Sequence, residues 1–218
     1  MLKSLVLIAC ILASLSSCAQ DTVFHVSVHI EDMPDQDVYL DYYIHGKKVR
    51  LKSHSSGGKF HFSDSVPEPT FANIHHELGL GEIELFLDNS KWNVVGTYDK
   101  FNDAQVDGSL IDKQWKQYFF EDQELIRKTF DAPPTSVIDD SKIKSNPDLQ
   151  NKRKLLLKSC VRQFRDSHAG ALIPTFCTIE KSLTIEDWAE IFETLTPEIR
   201  STWYGRKIKA KVERRFFE

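Results

Sequence analysis

The sequence predicts an α+β protein: an N-terminal antiparallel β-sandwich or barrel-like domain, then an all-helical region. Three observations carry this. Apolar residues recur with a period of two from Thr22 to about Asp107, the signature of half-buried strands. From Leu110 the period lengthens to that of a helix. Ahead of both, Leu5 to Ala13 form an unbroken apolar run in which Lys3 is the only nearby charge, the pattern of an export signal. The boundaries are therefore residues 1–17 for the signal, 18–21 for a tether, 22–108 for the β domain and 109–218 for the helical region, with 131–147 as a long connection.

In the first strand Phe24, Val26, Val28 and Ile30 alternate with His25, Ser27 and His29. Pro34-Asp35 ends it, and Val38, Leu40 and Tyr42 resume the alternation as far as the turn at His45-Gly46-Lys47. Val49 and Leu51 mark a further strand, and Ser55-Ser56-Gly57-Gly58 turns the chain into Lys59 to Phe62, with Phe60 and Phe62 on one face. After Pro67 and Pro69, the residues Phe71, Asn73 and His75 lie opposite Ala72, Ile74 and His76. Glu82 to Asp88 places Ile83, Leu85 and Leu87 inward and Glu82, Glu84 and Phe86 outward. Trp92 to Gly96 and Ala104 to Val106 complete the set. About seven short strands separated by turns indicate a sandwich or barrel.

Ser109 is placed as N-cap of a helix whose apolar positions are Ile111, Trp115, Tyr118, Phe119, Leu125, Ile126 and Phe130. Prolines and polar residues from Ala132 to Pro147 read as a connection with room for a short helical piece. The next helix starts near Asp148 and turns Leu149, Leu156, Leu157, Cys160, Val161 and Phe164 inward. Its other face carries Lys152, Arg153, Lys154 and Lys158, which reads as a solvated helix face. Thr184-Ile185-Glu186-Asp187 has the form of a capping box, with Trp188, Ile191, Phe192 and Leu195 following as a buried stripe. Thr196-Pro197 opens a final helix that carries Trp203 and Tyr204.

The apolar run is too short for a permanent span, which takes about 20 residues. Leu15-Ser16-Ser17-Cys18 resembles the lipobox of bacterial lipoproteins, which implies acylation of Cys18 and a chain anchored to a membrane of the cell envelope, facing the periplasm or the cell surface. Two or more acyl chains hold a protein stably where one does not. Loss of residues 1–17 from 218 leaves 201 and removes only Lys3, so 27 cations face 32 carboxylates and the net charge is −5 with histidines neutral. That balance gives no electrostatic basis for a nucleic-acid partner.

Phe86 to Asn89, Trp92 to Thr97 and Asn102 to Ser109 are similar to the N-terminal accessory module of thioredoxin-like (TlpA-like) thiol-disulfide oxidoreductases of Gram-negative envelopes. Gly58 to Phe62 with Pro67 and Pro69 resembles the central hairpin of that module, and Asp187 to Gly205 resembles its helical connector, so the resemblance spans most of Thr22 to about Val212. In that family the connector leads to a thioredoxin-like domain with a Trp-Cys-x-x-Cys site. No Cys-x-x-Cys occurs here, so no catalytic residue carries over.

Once Cys10 is removed and Cys18 acylated, Cys160 and Cys177 are the remaining thiols, which allows either one disulfide or two buried unreactive groups. His25, His29, His61 and the pair His75-His76 converge on a metal only if their strands are neighbours, and outward solvated histidines are the default. No GxSxG and no phosphate-binding glycine loop is present, and neither a metal nor a cofactor is expected. The expectation is a non-enzymatic envelope lipoprotein that binds or scaffolds, in contact with the membrane through Cys18 and with an envelope protein such as a thioredoxin-like partner. A sheet edge or the cleft between the two halves would be its contact surface. The alternative is thiol-disulfide exchange through Cys160 and Cys177, or service to a thioredoxin-like protein in trans; a third is a purely structural lipoprotein.

Overall fold

The structure is a computed structural model and describes residues 22–79, 81–133 and 136–213. Cys18, expected to be acylated, and the signal expected at residues 1–17 lie outside the described residues. Two four-stranded sheets pack face to face, followed by helices. The strands are β1 (Phe24–Glu31), β2 (Gln36–Ile44), β3 (Lys47–Ser55), β4 (Lys59–Asp64), β5 (Thr70–His76), β6 (Glu82–Leu87), β7 (Lys91–Thr97) and β8 (Gln105–Asp107). One sheet has the order β4-β1-β7-β8, the other β3-β2-β5-β6.

The alternation of apolar residues dictates this sandwich. Phe24, Val26, Val28 and Ile30 from one sheet face Val38, Leu40, Tyr42, Ala72, Ile74, Ile83 and Leu85 from the other, and all are buried. The pairing differs from the expected antiparallel set at one place. β1 and β7 run parallel, with Val26 opposite Trp92 and Val28 opposite Val94. A parallel pair needs a long crossover, and the whole second sheet lies within it. Gly58 makes the β3–β4 turn possible. It sits at φ +74, and a Cβ there would fall 2.0 Å from the Ile30 carbonyl oxygen.

Among the described residues seven helices follow: α1 (Leu110–Thr129), α2 (Asp140–Lys144), α3 (Pro147–Gln163), α4 (His168–Phe176), α5 (Ile185–Thr194), α6 (Pro197–Ser201) and α7 (Trp203–Glu213). Ser109 caps α1 as the sequence predicts, its hydroxyl accepting from the Asp112 N–H at 3.2 Å. The same two residues serve the edge strand β6. The Ser109 hydroxyl donates to the Phe86 carbonyl, and an Asp112 carboxylate oxygen accepts from the Phe86 N–H at 3.1 Å. Backbone groups that an edge strand leaves bare are thus paired by the helix start.

Phe86 points outward from its sheet, as its register requires, yet it is 1% exposed. Trp115 and Phe176 cover it, with ring centroids at 4.8 and 5.5 Å, and its cross-strand partner Phe71 lies at 5.7 Å. This outward face of the second sheet is one wall of the helical core. The far end is fastened at Thr70, whose hydroxyl donates to the Tyr43 carbonyl at 2.7 Å and lies 3.1 Å from the Tyr204 hydroxyl.

The expected single final helix is divided. Thr202 is extended (ψ 167) between α6 and α7. Both Glu68 carboxylate oxygens accept from the Trp203 N–H, and the Thr202 hydroxyl accepts from Gly205, so α7 starts with its own cap. Helix α4 has no counterpart in the sequence reading. Residues Ala169 to Thr175 are buried without a break, so the segment carries no amphipathic period to detect. Its one local signal is Ser167, whose hydroxyl accepts from Ala169 as an N-cap.

Candidate functional site

Cys160 ends up on α3 and Cys177 just beyond α4, both in the helical core. Both are free, buried thiols. Burial pushes Cys160 up to about 11 and Cys177 up to about 12. The Cys177 thiol donates to the Pro174 carbonyl. A nucleophilic cysteine needs a depressed pKa with access to solvent, and these two have the opposite setting.

The histidines disperse. His61 lies opposite Ser27 on neighbouring strands, so His25, His29 and His61 do share one outer face, while His76 turns inward against Tyr98 and Phe101. Among the described residues no group of three or more His, Cys, Asp or Glu is placed to hold a metal ion. His75 contributes instead to a charge cluster on the outer face of the second sheet. There it reaches the buried Asp41 carboxylate at 2.9 Å, alongside Arg50 at 2.7 Å and Lys48 at 2.7 Å. Burial raises the Asp41 pKa, but hydrogen bonds from Arg50, Lys48 and His75 outweigh it and hold the carboxyl below its ordinary value.

The basic face assigned to α3 is mostly not a solvated one. Lys154 pairs with Asp187 at 2.9 Å, and Lys158 pairs with Asp187 and Glu190, both at 2.7 Å. Arg153 is buried. Its Nε donates to Asp122 Oδ1 at 2.7 Å and its Nη2 to Asp122 Oδ2 at 2.6 Å, with Thr178 Oγ1 as a further acceptor. Asp122 faces α3 from α1, so a charge that looks exposed by its neighbours in sequence is drawn inward by a carboxylate 31 residues away.

Arg153 lines a cleft of about 770 Å³ in the helical half. Its walls come from four stretches: Gln123, Ile126 and Arg127 of α1; Ser136 to Ile138 with part of α2; Gln150 and Arg153 of α3; and, after Cys177, Thr178 and Ile179 with Lys181 and Ser182. Isoleucines 126, 138, 143 and 179 make the apolar part, and Gln123, Gln150, Arg153, Thr178 and Ser182 bring convergent polar groups. Its volume falls within the range of about 300–1,000 Å³ usual for small-molecule pockets. The expected cleft between the two halves also exists, as a smaller, more polar hollow of about 440 Å³ beside Pro67, Asp88 and His168. Burial raises Asp88 and lowers His168 there.

Sequence reasoning missed the larger cleft because its walls meet only in three dimensions. The one signal available was the run of unmatched apolar residues, Val137, Ile138 and Ile143, inside an otherwise polar connection.

A family model for a domain of unknown function (DUF4369) matches residues 24–115, which span the sandwich and the first turns of α1. No curated protein matches the chain. Among the described residues no helix is long and apolar enough to cross a membrane.

Proposed function

We propose that this chain is a lipid-anchored binding module of the bacterial cell envelope, tethered through Cys18, that takes its ligand in the helical cleft and performs no chemistry on it. One observation carries the reading: the cleft joins apolar walls to a small set of converging polar groups, among them Arg153, held from behind by its buried ion pair with Asp122. The placement of the thiols supports the non-catalytic part, since neither has the exposed, acidic setting that exchange requires. The kinship with the accessory module of thioredoxin-like oxidoreductases belongs to the same proposal. Its support is that the unknown-function match and the resemblance cover the same β region.

Two measurements test it. Metabolic labelling with a fatty acid should mark the wild-type chain and not a Cys18→Ala variant, which should leave the membrane fraction. Native mass spectrometry of the chain extracted gently from envelopes should show a bound mass that an Ile143→Trp variant, with the cleft filled, has lost. A bound mass that survives Ile143→Trp would place binding elsewhere and refute the assignment of the cleft.

A further inference from the structure

The charges around the cleft do not cancel, and the remainder indicates what the cleft takes. Four cations line it: Arg127, Lys144, Arg153 and Lys181. Three have a carboxylate of their own. Arg127 pairs with Glu124, Lys144 with Asp140 at 3.2 Å, and Arg153 with Asp122. Lys181 has no ion-pair partner among the described residues. One positive charge is therefore left over at the rim, in a chain whose net charge is −4.

The floor adds a directional donor. Arg153 has a side chain 4% exposed, and its Nε and Nη2 are committed to Asp122 and Thr178. Nη1 takes no part in those bonds, yet the residue lines the cleft while Asp122 does not. A guanidinium presents five N–H donors in one plane, so Nη1 adds two donors to those that Nε and Nη2 use. The isoleucine walls supply an apolar sleeve behind the same opening.

We infer that the cleft binds a monoanionic ligand with an apolar body and a terminal carboxylate, the carboxylate taking the Arg153 Nη1 donors and the charge of Lys181. This rests on the reading of the cleft as the binding site and names the class of its ligand. A free aliphatic acid and the C-terminus of an apolar peptide share this chemistry.

The test uses the exported chain with Cys18→Ser and calorimetric titration of two pairs of probes: decanoate against decanol, and an N-acetylated apolar pentapeptide with a free against an amidated C-terminus. The carboxylate member of at least one pair should bind tenfold or more tighter than its neutral counterpart, and the pair that shows the preference identifies the source. Lys181→Glu should weaken the carboxylate probe five- to tenfold and leave the neutral one unchanged. Ile143→Trp should abolish both, with the thermal midpoint of each variant confirming that it is folded. Equal affinity within both pairs, insensitivity to Lys181→Glu, or no binding of either carboxylate overturns the inference. A neutral probe that binds as tightly as its carboxylate counterpart and is lost in Ile143→Trp would overturn the carboxylate preference alone and leave the cleft as a binding site; a carboxylate that binds regardless of Ile143→Trp would overturn both.

Discussion

Replacing Asp122 with alanine should cost about 3–5 kcal/mol, the usual penalty for stranding one member of a buried ion pair. The structure sets the size. Asp122 is 2% and Arg153 4% exposed, and the two bonds between them are short and parallel, at 2.7 and 2.6 Å. Without the carboxylate, Arg153 Nε has no other acceptor, and Thr178 at the edge of the cleft serves only Nη2. At about 2–4 °C per kcal/mol for a chain of this size, the thermal midpoint should fall by about 6–20 °C. Arg153→Met should cost a similar amount, because it strands Asp122.

The double variant, Asp122→Leu with Arg153→Met, should recover most of the loss. Its new side chains lie one helical turn from Ile126 and Leu149, which are already buried, and such a swap is often neutral or stabilising by about 1–4 kcal/mol. Urea titrations followed by tryptophan fluorescence and far-UV circular dichroism on all four proteins give the coupling energy directly. Single variants that lose less than about 1 kcal/mol, or a double variant that loses the sum of both, would show that Arg153 is solvated and that the floor of the cleft is not as described.

Phe86→Ala should cost about 3–5 kcal/mol, as for any buried aromatic. Its hydrogen-exchange signature should be loss of protection in α1 and α4 before the sandwich strands, because Phe86 lies in the core beneath the helices. Equal loss in β1 and β2 would contradict that. Acid should destabilise the chain through Asp41. Its folded pKa lies below the ordinary 3.8, so the unfolded chain takes up the proton first and stability falls as pH drops below about 4. Asp41→Asn should be less stable at neutral pH and flatter between pH 5 and pH 2.5; an unchanged slope in urea midpoints would refute the assignment. Cys160 and Cys177 should resist an aromatic disulfide reagent in the folded protein at pH 8, with both reacting after denaturation. Rapid release from the native chain would revive thiol exchange.

The sequence by itself determined most of the elements and the inward faces of the strands. Strict alternation in Phe24 to Ile30 and in Glu82 to Leu85 allows only one choice of inward residues, because successive strand side chains point to opposite sides whatever the partner is. Ser109 and Thr184 announced their helices for a similar reason: a cap satisfies N–H groups two or three residues away, so its signal is written locally. The tertiary structure decided everything that depends on a partner remote in sequence. It made β1 and β7 parallel, buried the outward Phe86 under Trp115, and pulled Arg153 out of a lysine-rich run to meet Asp122. It also assembled the cleft from α1, the 136–144 stretch, α3 and the residues after Cys177. Local periodicity records which side of an element is apolar, but burial and charge pairing are set by what the fold lays against it, and that is fixed only when the whole chain has closed.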